Sequence, residues 1–140
     1  MTATSRELAG SIDAIDSSGW STDPTDYGMT AKQFIQAESR AFIGNFINRA
    51  GVNQWFHFPG LSDKDDTWVV SPNNDTVYSL VSVNASEGFE LVVPDVGEER
   101  FVSIQIIDEN HMSPFYLYGG GKYTFTADQF ESDFVAIGVR

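Results

Sequence analysis

The run Phe101-Val102-Ser103-Ile104-Gln105-Ile106-Ile107-Asp108 alternates, with Val102, Ile104 and Ile106 on one side and Ser103 and Gln105 on the other. Side chains of an extended chain point to opposite faces with a period of two. The pattern therefore predicts a strand buried on one face, in a sheet whose neighbours run antiparallel. Short apolar segments broken by Gly, Pro, Asn and Asp continue on both sides of it, which is the punctuation of further strands. They are expected at Thr67 to Ser71, Val77 to Ala85, Phe89 to Val93, Phe101 to Asp108, Phe115 to Tyr118, Tyr123 to Thr126 and Phe134 to Val139. Ser86-Glu87-Gly88 reads as a tight hairpin connection. Gly119-Gly120-Gly121 reads as an abrupt reversal that also lets a ligand or backbone approach closely.

Upstream of this β region the period changes. Thr30 is followed three residues later by Gln33, the spacing of a capping box in which each side chain satisfies the other's open backbone N–H. Phe34, Ile35, Phe42, Ile43, Phe46 and Ile47 recur at three- and four-residue intervals, which predicts an amphipathic helix from Thr30 to Ala50 with that face toward the core. Arg49 suits the negative pole of the helix, and Gly51 can stop it. His57, within Trp55-Phe56-His57-Phe58-Pro59, is expected as a partly buried, hydrogen-bonded ring in a loop approaching the sheet. Residues 1–29 are rich in Ser, Thr, Asp and Gly and read as a flexible arm, with a short helix from about Thr4 to Asp16 suggested by Leu8, Ile12 and Ile15. The chain thus divides into the arm 1–29 and a single α+β domain at 30–140, one amphipathic helix followed by an antiparallel sheet or sandwich.

A length of 140 residues suits one hydrophobic core. Aromatic residues make up 14% of the chain, a payload that favours folding despite a net charge of -12. With 8 basic residues against 20 acidic ones, a phosphate backbone or an anionic membrane surface is repelled, so neither nucleic acid nor membrane is an expected partner. The acidity reads as a solvated coat of carboxylates rather than a site. The absence of cysteine excludes disulfides, thiolate zinc sites and Cys nucleophiles. No apolar stretch approaches the roughly 18–20 residues of a membrane span, and the first twenty residues hold no secretory h-region, so a cytoplasmic protein is expected.

The most distinctive polar run is Val70-Ser71-Pro72-Asn73-Asn74-Asp75-Thr76-Val77-Tyr78-Ser79. Asn and Asp side chains bond backbone groups two residues on, so the run can simply lock a strand-to-strand corner. Alternatively Asn73, Asn74, Asp75, Thr76 and Tyr78 are ligand-binding candidates that present amides, hydroxyls and a carboxylate to a small polar ligand. The catalytic candidates are Asp75 or Asp108 as base with His111 assisting, since His111 follows Asp108-Glu109-Asn110 at the end of the alternating strand. Two histidines are too few for a His-rich metal site, and no phosphate loop, nucleophile elbow or dinucleotide fingerprint is present. Neither a metal nor a cofactor is expected.

The Val70 to Ser79 run resembles the signature of a bacterial family known as Domain of Unknown Function 1254. The order around it is similar too: a helix such as Thr30 to Ala50, Asn53 to His57, Glu90-Leu91-Val92-Val93-Pro94-Asp95, the Phe101 to Asp108 strand and Ile137-Gly138-Val139-Arg140. The resemblance covers Thr30 to Arg140. It implies a jelly-roll-like β fold and the N-terminal domain of a twin-domain protein, here in a short or truncated form. An open sheet edge would then be covered by association into a dimer or larger homo-oligomer. The family supplies no catalytic residues to carry over, although its suggested similarity to sugar-amide hydrolases implies a hydrolase. Three readings follow. The first is an oligomeric polar-ligand-binding or structural β-domain without catalysis. The second is a hydrolase-like enzyme on a small polar or carbohydrate-related substrate, and the third an interaction module using its arm and an open sheet edge.

Overall fold

Thr30 caps α1 (Ala31–Ala50) as its sequence predicts: its hydroxyl accepts the Gln33 N–H at 3.2 Å, and Gln33 Oε1 accepts the Thr30 N–H at 2.8 Å. Two donors that a helix start leaves open are thereby met. A computed structural model describes residues 18–63, 65–66, 69 and 72–140. The helix expected at Thr4 to Asp16 lies outside these residues, as does the strand expected at Thr67 to Ser71, Val69 excepted. Of the arm, Pro24–Tyr27 form a 3₁₀ turn that touches α1.

After α1 come seven strands among the described residues: β1 (Trp55–His57), β2 (Ser79–Asn84), β3 (Phe89–Val93), β4 (Ser103–Asp108), β5 (Phe115–Tyr118), β6 (Gly121–Phe125) and β7 (Phe134–Val139). Five form one sheet in the order β1-β2-β7-β4-β5, and β3 pairs with β6 in a second; every pairing is antiparallel. The α+β class therefore holds, one helix followed by antiparallel sheets. β1 corrects the reading of Trp55 to His57 as loop: Trp55, Phe56 and His57 lie opposite Val81, Leu80 and Ser79. Three residues are too few to display a period of their own, and their aromatic content is what suits them to a sheet edge.

The two glycine turns change sheets instead of making hairpins. Gly88 donates its N–H to Ala85 O at 3.0 Å, so Ser86-Glu87-Gly88 is a tight turn, but β2 on one side pairs with β1 and β7 while β3 on the other pairs with β6. Gly119 and Gly120 likewise carry the chain from β5 in the larger sheet to β6 in the smaller. The close approach expected there is to backbone: a Cβ on Gly120 would fall against Pro94 O and 2.6 Å from Asp95 Cα.

Between the sheets lies the main core. Val81 and Val83 of β2, Ile104 and Ile106 of β4, and Val135 and Ile137 of β7 meet Leu91 and Val93 of β3 and Phe125 of β6. Phe89, Phe115, Phe125 and Phe130 stack and tilt against one another at ring separations of 4.9–5.9 Å, within the range where aromatic pairs attract.

The opposite face of the larger sheet carries Phe56, Leu80, Ser82, Ser103, Gln105, Ile107, Tyr116, Ala136 and Gly138, and α1 covers its β1–β2 end. Phe46, Phe58 and Leu80 form a second, smaller core there with Phe42, Phe56 and Tyr78. Ser82 donates its hydroxyl to the Ile43 carbonyl at 2.9 Å, a buried bond that ties sheet to helix. The buried helix face is narrower than the sequence predicts: Ile43 and Phe46 are buried with Ser39, whereas Phe34 and Ile35 are exposed. The first turns of α1 extend past the sheet and meet polar groups instead, because Gln36, Ser39 and Arg40 face the turn after β4.

Candidate functional site

Because α1 covers only one end of its sheet face, a cavity of about 170 Å³ remains beside it, lined by Phe42, Tyr78, Leu80, Ser103, Gln105, Ile107, Tyr116, Ala136, Gly138 and Arg140. Small side chains on the central strands make the room. Ser103, Ala136 and Gly138 occupy the places where larger residues would fill the gap, while Phe42 from α1 supplies a wall. A Cβ on Gly138 would meet Leu80 Cδ2 at 3.2 Å, a tight contact that the leucine tip would have to yield to.

The polar groups gather at one end. Arg140 continues β7, exchanging backbone bonds with Ser103 at 3.0 and 2.7 Å. Its Nε donates to Ser103 Oγ and its Nη2 to the Tyr116 hydroxyl, both at 3.3 Å. The Tyr78 and Tyr116 hydroxyls beside the guanidinium hold its pKa above the usual arginine range, so the group stays cationic. Gln105 is engaged elsewhere, donating from Nε2 to Ser113 Oγ at 2.9 Å. Among the residues lining the cavity, Arg140 alone carries a charge.

The residues expected from sequence fall into three places. Asn73 accepts the Asp75 N–H on Oδ1 at 2.6 Å, a side-chain turn that holds the loop before β2. Asn74 and Asp75 are exposed in this loop, and Thr76 Oγ1 is buried there with no hydrogen-bond partner among the described residues. Tyr78, at the end of the same run, lines the cavity. Asp108 and His111 share the turn after β4, but the Asp108 carboxylate is buried and its Oδ1 accepts the Asn110 and Met112 N–H groups at 2.9 and 2.8 Å.

That turn docks on α1 through three consecutive residues: Glu109 Oε1 lies 3.3 Å from Arg40 Nε, Asn110 Oδ1 accepts from Gln36 Nε2 at 2.7 Å, and His111 Nδ1 lies 3.3 Å from Ser39 Oγ. His111 has a positive φ of 61°, a left-handed conformation imposed by the tight turn. Among the described residues, Asp75 makes no hydrogen bond with Asp108 or His111, so the two catalytic candidates on the turn and the one in the loop are not joined. His57 is exposed, not partly buried, though its ring is hydrogen-bonded as expected: Nδ1 lies 2.8 Å from Ser79 Oγ, and the ring stacks on Trp55. A histidine on an edge strand keeps one side open to solvent, which the aromatic neighbours in sequence conceal. Among the described residues, no three His, Asp or Glu side chains converge to hold a metal ion, and no helix is long and apolar enough to cross a membrane.

Sequence reasoning missed Arg140, Tyr116, Ser103 and Gln105 as site residues. A signal was present: Ser103 and Gln105 on β4 alternate with its apolar side chains, as Ala136 and Gly138 do on β7, marking a face too polar and too small to be core. A family model described as Protein of unknown function (DUF1254) matches residues 52–133, more than half of the chain. No curated protein and no solved structure matches it. The matched stretch includes Tyr78, Leu80, Ser103, Gln105, Ile107 and Tyr116, whereas Phe42, Ala136, Gly138 and Arg140 lie outside it.

Proposed function

The chain belongs to the DUF1254 family of proteins of unknown function, and from that premise we propose that it is a binding domain without catalysis of its own, taking a small ligand with one polar end into the cavity beside α1. The arrangement of that cavity carries the reading: apolar side chains on the body, and Ser103, Tyr116 and Arg140 converging at one end. Mostly apolar concavities with a few convergent polar groups are the usual form of small-molecule sites. The hydrolase reading draws less support, because Asp108 already serves two backbone N–H groups and Asp75 stands in a separate loop.

A ligand of about ten non-hydrogen atoms, at roughly 0.5 kcal/mol each, gives a Kd on the order of 0.1–1 mM. Amide chemical shifts of the whole chain, recorded against one-ring fragments such as benzyl alcohol and phenol, are expected to move at Ser103, Gln105, Ala136 and Gly138. Ala136→Leu, which fills the cavity from β7, should abolish those shifts. Ile107→Phe fills it from β4 and serves if the first variant is unfolded. Shifts clustered elsewhere, or unchanged by both fillings, would refute the reading.

Self-association is part of the proposal. Among the described residues the outer edges of β1 and β5 carry no further strand, and an open edge is a template for pairing with a second copy. Light scattering on a sizing column should return a mass near twice 15.5 kDa or more. A 15.5 kDa species at every concentration would remove this part and leave the cavity reading intact.

A further inference from the structure

We propose that the ligand of this cavity is a small monocarboxylic acid built on one apolar six-membered ring, with its carboxylate on Arg140 and its ring over Ala136 and Gly138 between Phe42 and Ile107. This rests on the cavity being a binding site and adds the class of molecule. Size sets the first limit. An apolar cavity of about 150 Å³ takes one benzene, and this one measures about 170 Å³. It therefore has room for a single ring and leaves the appended group at the polar end.

The lining sets the second limit. Phe42, Leu80, Ile107, Ala136 and Gly138 offer no side-chain hydrogen bond, and the Gln105 amide donates to Ser113. A ring carrying several hydroxyls would lose its water without replacement, which is costly for each unpaired group. A hydrocarbon ring has nothing to lose there.

Charge sets the third. The protein carries -12 overall, which disfavours anions, so an anion is held only beside a cation. Arg140 is such a cation: among the described residues its side-chain partners are hydroxyl oxygens, and no Asp or Glu forms an ion pair with it. Its contacts at 3.3 Å are long, while a carboxylate on a guanidinium settles at about 2.7–2.9 Å and can take two parallel N–H bonds. Tyr116 accepts from Arg140 in this structure, and its hydroxyl proton remains to be donated to a carboxylate oxygen once the guanidinium turns to the ligand. A phosphate ester, near a second negative charge at neutral pH, meets roughly twice the repulsion and asks for more positive charge than one arginine supplies.

The test compares benzoate and cyclohexanecarboxylate with benzamide, their neutral near-isostere, by calorimetry and amide shifts at fixed ionic strength. The carboxylates are expected to bind about tenfold or more tightly than benzamide. Arg140→Gln should remove that preference, so that benzoate falls to within a few-fold of benzamide, and Arg140→Lys should restore only part of it, because a point charge replaces the planar fork. Arg140 is exposed, so both variants should keep the wild-type melting temperature. Equal binding of benzoate and benzamide, with shifts at Ser103 and Gly138, would overturn the carboxylate assignment and leave the cavity reading standing. Binding of neither, or shifts confined to other residues, would overturn both.

Discussion

Ile137→Ala is expected to destabilise the protein by about 2–5 kcal/mol, the range for emptying a buried aliphatic site. Ile137 is fully buried on β7, the middle strand of the larger sheet, directly opposite Val81 of β2 and Ile106 of β4. Its removal therefore opens a gap bordered by strands whose backbones are fixed on both sides and cannot collapse inward. Since a domain of this size is stable by only about 5–15 kcal/mol, much of the total is at stake. Urea denaturation followed by circular dichroism measures it, with Ile137→Val as the graded control at about 0.5–1.5 kcal/mol. A loss below 1 kcal/mol for the alanine variant would mean that β7 does not stand between β2 and β4.

The second large effect is at Gly120, where the obstacle is main chain. An added methyl meets Pro94 O and Asp95 Cα, neither of which can swing aside as a side-chain tip does. Gly120→Ala should cost about 3 kcal/mol, the upper part of the usual range for overpacking. Gly44→Ala makes the contrast: nothing lies within 4 Å of a Cβ there, and the site is inside α1. Alanine gains about 0.5–1 kcal/mol over glycine in a helix, so this variant should melt higher than wild type. If Gly120→Ala melts at or above the wild-type temperature, the corner at 119–121 does not pass against residues 94–95.

Local chemistry was readable in the sequence wherever it was self-sufficient. The Thr30–Gln33 box needs only its own four residues, and α1 begins where it predicts. β3, β5 and β7 keep the limits that their flanking Gly, Pro and polar residues suggest. Pairing was less accessible, because turn chemistry at Ser86-Glu87-Gly88 specifies a change of direction and says nothing of which sheet receives the next strand. Helical periodicity gave the apolar positions of α1 but not where the sheet beneath it ends, so Phe34 and Ile35 were assigned to a core that stops short of them. The candidate site was almost hidden. Phe42, Tyr78, Ser103, Tyr116, Gly138 and Arg140 come from the helix, from β4, β5 and β7, and from the residues flanking β2 and β7, each an ordinary residue in its own neighbourhood. Of these, Tyr78 alone is a candidate from the sequence, in a polar run where Asn73 and Asp75 make a side-chain turn before β2. Asp108 and His111 share the turn after β4, where the Asp108 carboxylate closes the turn and the His111 ring docks it on α1.

The place of β7 between β2 and β4 also fixes an order of events. Until residues 134–139 arrive, the larger sheet consists of two separate pairs, β1 with β2 and β4 with β5, each showing a bare inner edge. Joining them requires contacts such as Val83 with Val135, far apart in the chain, and non-local pairing of this kind slows folding. On a ribosome adding roughly 5–20 residues per second, residues 119–133 between β5 and β7 take about 1–3 s to be made. For those seconds the nascent chain carries two further exposed strand edges with β-rich apolar faces, the kind of transient surface on which chains associate wrongly until the closing strand slots in.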